Sequence, residues 1–134
     1  MAGTAFTAIN PVLPVRNLSA SVRFYTERLG FDFAFGDRAG SPLPDGSGAP
    51  GYAGVRRGNV ELHLQWQDES EFTKGTVGLA MLRILVADPD ELLEEYRATG
   101  AVDGRTRIRE TSWGTREFHV RDLDGHGLTF YCDL

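Results

Sequence analysis

The sequence predicts an α+β fold in which two βαβββ modules form a curved mixed sheet around a cavity, with the helices outside. Three observations point there. The same order of elements occurs twice, at about residues 6–67 and about 77–134. Most strand candidates alternate apolar with polar side chains, the period of a sheet with one face packed and one open. And 134 residues suit one compact domain, here spanning 1–134, but not two independent cores.

The first module opens with the apolar stretch Ile9 to Val15, interrupted by Pro11 and Pro14. A helix follows in which Leu18, Val22, Tyr25 and Leu29 recur at helical spacing, with Asn17 or Ser19 as its cap and Gly30 as its stop. Phe31 to Phe35 and Tyr52 to Arg57 are strand candidates, Gly58-Asn59 is a turn, and Val60 to Trp66 is a third. In that last strand Val60, Leu62, Leu64 and Trp66 share one side, while Glu61, His63 and Gln65 share the other.

The second module repeats the plan. Leu79 to Ala87 reads as a strand, and Asp88-Pro89-Asp90-Glu91 as the start of a helix with cap, first-turn proline and acid. That helix ends at Gly100. Arg105 to Arg109, Thr115 to Arg121 and Gly127 to Asp133 supply strands, the last two joined across Asp122-Leu123-Asp124-Gly125. Packing both units into a single sheet of eight strands is the economical expectation. Gly40 to Gly51, with four glycines and three prolines in twelve residues, is a loop, either a lid over the cavity or a solvated excursion.

Composition excludes several functions. A formal charge of −5 opposes attraction to phosphate backbones, so nucleic acid is not an expected partner, whereas a cationic small molecule is. No apolar run approaches the ~20 residues that cross a bilayer. Met1 to Thr7 has no basic segment leading into an apolar one, so a cytoplasmic protein is expected. The lone Cys132 makes no intrachain disulfide and is expected to be a small buried residue. Phosphate loops, serine elbows and HExxH helices are missing from the chain.

Local motifs add a resemblance. Pro11-Val12-Leu13 with Asn17-Leu18, Phe24-Tyr25 and Leu29-Gly30-Phe31 is similar to the first module of the vicinal oxygen chelate superfamily. Phe35-Gly36-Asp37-Arg38, Ala53-Gly54-Val55-Arg56-Arg57-Gly58, Leu62-His63, Trp113-Gly114, Arg116-Glu117-Phe118 and Val120-Arg121-Asp122 are similar to its bleomycin-resistance branch. The chain resembles that branch over nearly its whole length. The resemblance implies stoichiometric sequestration of a cationic antibiotic, without turnover, by a homodimer that exchanges its N-terminal strand. Pro11 and Pro14 would suit the hinge of such an exchange. The loop at Gly40 to Gly51 departs from the branch, where Asp37-Arg38 runs almost directly into Tyr52, and leaves the ligand's identity open.

Enzymes of the superfamily hold a divalent metal with one side chain from the first and one from the last strand of each module. By register these positions are Asn10, Glu61, Leu82 and Thr129. Glu61 alone is a good ligand, so no metal and no other cofactor is expected. An improvised site of Glu61, His63 and His119 is the alternative, while His126 is expected in solvent.

Phe33 and Phe35, on one face of a strand, together with Tyr52 and Trp113 are candidate contacts for a planar ligand, or else packing residues. Phe24, Phe118 and Phe130 are core. Glu61, His63, Gln65, Glu117, Thr129 and Tyr131 are candidate polar lining, or else a solvated sheet face. Arg105, Arg107 and Arg109 form a basic, exposed stripe. The expected function is metal-free binding of an antibiotic or related aromatic, cationic molecule. The alternative is a superfamily enzyme, a lyase, isomerase or dioxygenase, acting on a natural product or small metabolite.

Overall fold

The computed structural model describes residues 3–36 and 51–134. The loop expected at Gly40 to Gly51 lies, apart from Gly51, outside the described residues, as do Asp37 and Arg38. The first module comprises β1 (Val12–Val15), α1 (Leu18–Arg23) continued by a π-helical turn (Phe24–Arg28), β2 (Asp32–Gly36), β3 (Tyr52–Arg57) and β4 (Val60–Trp66). A short helix, α2 (Glu69–Lys74), links it to β5 (Met81–Leu85), α3 (Pro89–Thr99), β6 (Arg109–Glu110), β7 (Thr115–Arg121) and β8 (Gly127–Asp133). The architecture is α+β and mixed, as the repeated pattern implied.

The described strands form two four-stranded sheets, ordered β1-β4-β3-β2 and β5-β8-β7-β6, in place of one sheet of eight. Within each, the first strand runs parallel to the last and the other pairs are antiparallel. α1 packs on β3 and β4, α3 on β7 and β8, and α3 also meets the π-helical turn of the first module. The modules therefore join through one contiguous core that includes Leu13, Val22, Tyr25, Leu64, Tyr96, Phe118 and Phe130.

Capping explains where the helices stop. The Asn17 side chain accepts from the Ala20 N–H, and Asp88 accepts from Glu91 N–H with Pro89 behind it. Gly100 closes α3 at φ 80°, a left-handed conformation that favours glycine. Arg105 to Arg109 is not a strand except at its last residue, because Asp103 folds back to accept from the Arg105 N–H and Arg107 bonds the Gly104 carbonyl.

A polar seam reinforces the core. The Tyr25 hydroxyl donates to Asp122 at 2.7 Å, and the other Asp122 oxygen accepts from the N–H groups of Asp124 and His126, both at 2.9 Å. Asp124 in turn accepts from the Arg16 N–H and the Ser21 hydroxyl. His126 is 0% exposed, contrary to its expected place in solvent. Its Nδ1 lies 2.8 Å from the Ala80 N–H, which can only donate, so Nε2 carries the proton and donates to the Pro14 carbonyl at 2.7 Å. The turn that sequence presents as an ordinary hairpin is the plug that locks one module to the other. Cys132 is half-buried rather than enclosed, because its register partner Arg116 lies at the sheet margin.

Candidate functional site

Each sheet has one face in the core and one open face. On the first sheet, Glu61 and His63 alternate with the buried Leu62 and Leu64, so both stand on the open side. Gly54 pairs with His63 and leaves room there, which the Phe35 ring fills. Phe35 meets the His63 ring edge-on at 5.1 Å and stacks toward Tyr52 at 6.3 Å. A bulge between Phe33 and Phe35 sets Phe33 opposite Val55 and Phe35 opposite Gly54. The two phenylalanines therefore occupy opposite faces, and the expectation of a shared face fails because the extra residue shifts the alternation.

A hydrogen-bonded chain crosses this face. His63 Nε2 is 2.8 Å from Glu61 Oε2, and His63 Nδ1 is 2.7 Å from the Tyr52 hydroxyl. A carboxylate only accepts, so in the neutral imidazole Nε2 carries the proton and Nδ1 receives the Tyr52 O–H. Arg56 binds the other Glu61 oxygen. The His63 N–H and the Arg56 guanidinium hold the Glu61 carboxyl below the usual carboxylate range.

The open face of the second sheet is built around Glu117, which is 1% exposed. Its Oε2 accepts from Thr115 at 2.9 Å and from Arg83 at 3.1 Å, while Arg109 and His119 approach Oε1 at 3.7 Å. Burial raises the Glu117 pKa, but the Thr115 and Arg83 hydrogen bonds outweigh it and leave the carboxyl below its ordinary range. His119 bonds Thr129 at 2.7 Å; burial, with Arg109, Arg83 and Arg121 nearby, pushes its pKa down despite Glu117. The Arg83 guanidinium lies over Tyr131 at 4.3 Å, and that of Arg109 is 5.9 Å from the Trp113 ring centre. Trp113, in the turn before β7, is 62% exposed.

The expected site residues thus fall into two groups. Phe35, Tyr52, Glu61 and His63 come together on the first sheet; Glu117 and Thr129 share the open face of the second, with Trp113 beside Arg109 in the turn at one end of β7; Phe33 joins neither. His119 sits on the second sheet, so it does not meet Glu61 and His63 to form the improvised metal site. Two neighbours of Glu117, Arg83 and Arg109, are not among the expected site residues. The first is the one charge inside the apolar run from Leu82 to Ala87, a signal that was available. The second stays in the exposed basic stripe, as expected, and its register sets it opposite Glu117.

Residues 7–130 match the Glyoxalase/Bleomycin resistance protein/Dioxygenase superfamily. The chain belongs to that superfamily. Among its members, the chain is 25% identical over 138 residues to a bleomycin resistance protein of Geobacillus stearothermophilus, covering 92% of this chain and 95% of that one. A bleomycin-binding protein from bleomycin-producing Streptomyces verticillus, solved with copper(II)-bleomycin, is 30% identical with a TM-score of 0.72, covering 98% and 100% of the two chains. A glyoxalase-related enzyme from Clostridium phytofermentans shares the fold at 19% identity and a TM-score of 0.70, with both chains fully covered. The superfamily fold therefore serves binding proteins and enzymes alike.

The positions that hold metal in superfamily enzymes do not fit one here. In the parallel pair β5 and β8, Thr129 is opposite Arg83 rather than Leu82, so a cation stands where a ligand is needed. Glu61 is already engaged by His63 and Arg56. Among the described residues no three His, Cys, Asp or Glu side chains converge on a point, and none of the described helices is long and apolar enough to cross a membrane.

Proposed function

We propose that this protein sequesters an antibiotic or related aromatic, cationic small molecule of the bleomycin type, without altering it, in a cleft completed by a second copy of the chain. The observation that carries this reading is the match along the full chain, at 30% identity, to a bleomycin-binding protein. The open faces agree with it. Phe35, Tyr52, Glu61 and His63 offer a wall of rings and one carboxylate; Trp113, Glu117 and Thr129 offer another, and a planar guest stacks well between aromatic walls.

Apolar exposure supports homodimerisation. Phe6 is 99% and Ile9 92% exposed in an extended segment ahead of β1, and Met81 and Leu85 on the edge strand β5 are also exposed. Such surfaces call for a partner, and the extended segment suits exchange between subunits. Titration with bleomycin, followed by tryptophan emission and calorimetry, should give quenching and heat at one ligand per subunit, with unchanged bleomycin recovered by mass spectrometry. Sedimentation should give twice the chain mass. Absence of heat with every member of the class overturns the sequestration reading.

One observation favours a second reading, an enzyme. The Glu61-His63-Tyr52 chain is arranged to take a proton from the Tyr52 phenol, as an acid–base catalyst requires. Mass change in the recovered ligand, lost on His63→Gln, would support it.

A further inference from the structure

The two open faces differ in charge, and the difference is not what a chain of net −5 suggests. Around the buried Glu117 stand two guanidinium groups, Arg83 and Arg109. One carboxylate neutralises one of them. Arg121 adds a further cation at the far end of β7, and Asp133, exposed opposite Thr115, adds one carboxylate at the other end. The centre of this face is left with surplus positive charge.

Arg83 is also held in place. Arg83 donates one hydrogen bond to Glu117 and lies on Tyr131. Arg109 approaches Glu117 at 3.7 Å, beyond hydrogen-bond reach, beside Trp113. Each guanidinium has five N–H donors in a rigid fork. Most of those donors have no partner among the described residues, and both arginines are exposed. A planar oxyanion, a carboxylate above all, matches the fork in charge and geometry.

We propose that the second module's open face is an oxyanion subsite, and that the ligand of this protein is a planar aromatic molecule carrying a carboxylate or equivalent group that Arg83 and Arg109 grip beside Trp113. The inference rests on the binding reading above and deepens it. The acidic surface as a whole draws the cationic end of the guest, while this face takes the opposite end, so the guest is zwitterionic. Glu117 is a positioning residue that fixes Arg83.

Naphthalene-2-carboxylate and its uncharged analogue naphthalene-2-carboxamide test this, titrated against the full chain and read by tryptophan emission and calorimetry. The carboxylate should bind at least tenfold more tightly than the amide, and the preference should shrink as salt rises. Arg109→Gln, at an exposed residue without a hydrogen bond to lose, should remove most of that preference while leaving amide binding within twofold. Arg83→Lys, which keeps the charge beside Glu117 but not the fork, should remove part of it. Equal binding of the two probes overturns the subsite, as does a variant that weakens both alike. A variant that changes the subunit equilibrium but not the preference assigns the arginines to the dimer contact and likewise overturns it. If neither probe binds while bleomycin does, the subsite falls and sequestration stands; if nothing binds, both fall.

Discussion

The two modules share a plan but treat their last hairpin in opposite ways. In the first, β3 and β4 are joined by Gly58-Asn59, a two-residue turn exposed to solvent. In the second, β7 and β8 are joined by the longer Asp122 to His126 segment, in which Asp122, Asp124 and His126 are buried against the first module. Their open faces differ as well: rings and a closed Tyr-His-Glu-Arg network on one, surplus arginine around a buried carboxylate on the other. The core sides of both sheets are alike in character, Leu62 and Leu64 matching Leu128 and Phe130. Packing constrains one side of a duplicated sheet and leaves the hairpin and the other side free to diverge.

The sharpest way to break this comparison is Asp122→Ala. It strands the Tyr25 hydroxyl and two backbone N–H groups in a buried place, and should lower unfolding free energy by about 3 kcal/mol. The exposed counterpart Asn59→Ser should change it by only about 0.5 kcal/mol. Urea unfolding of the two side by side decides; similar losses would mean that the plug does not hold the modules together.

Next in size is Trp113→Ala. It should weaken binding of bleomycin or another aromatic ligand by about 1–2 kcal/mol in calorimetry. With the ring 62% exposed, the thermal midpoint should barely move. A fall in stability matching the loss of binding would reassign the ring to packing.

Gly54→Ala probes the other wall. A Cβ there would come within 2.2 Å of the Phe35 ring, so the ring must leave its seat against His63 and Tyr52. Because Phe35 lies on the exposed edge strand β2, it can swing outward, and stability should fall by no more than about 1 kcal/mol. Ligand binding should weaken with it. Unchanged binding would separate Phe35 from the ligand wall.

The smallest expected effect is the part of the pH dependence that His119 and Glu117 contribute in the second module. His119 has its folded pKa lowered from the ordinary 6.5, so the unfolded chain takes up that proton first and stability declines as pH falls through 6.5. Glu117, lowered from 4.5, contributes stability that is present above 4.5 and is lost as pH falls through its folded value. His119→Asn should flatten the upper part of the profile and Glu117→Gln the lower part. Urea titrations at stepped pH measure both.

The order of the strands, α1 and α3, the limits of β3, β4, β7, β8 and α3, and the two-faced character of the strands were legible from the residues, because alternation, caps and glycine stops are local signals; the short α2 was not anticipated. So was the membership of most site residues in an open face. Three things depended on distant contacts. The break into two sheets, and the contact of α3 with the π-helical turn of the first module, involve packing that no single segment reports. The burial of His126 needed the Pro14 carbonyl and the Ala80 N–H, respectively 112 and 46 residues away in sequence. And the separation of Phe33 from Phe35 needed a bulge against β3. The sequence by itself determined the alternation of faces along β4, β7 and β8 and the stops of the helices, because these are local signals. Only the tertiary structure decided which side chains meet, because pairing across sheets and modules depends on register and packing summed over the whole chain.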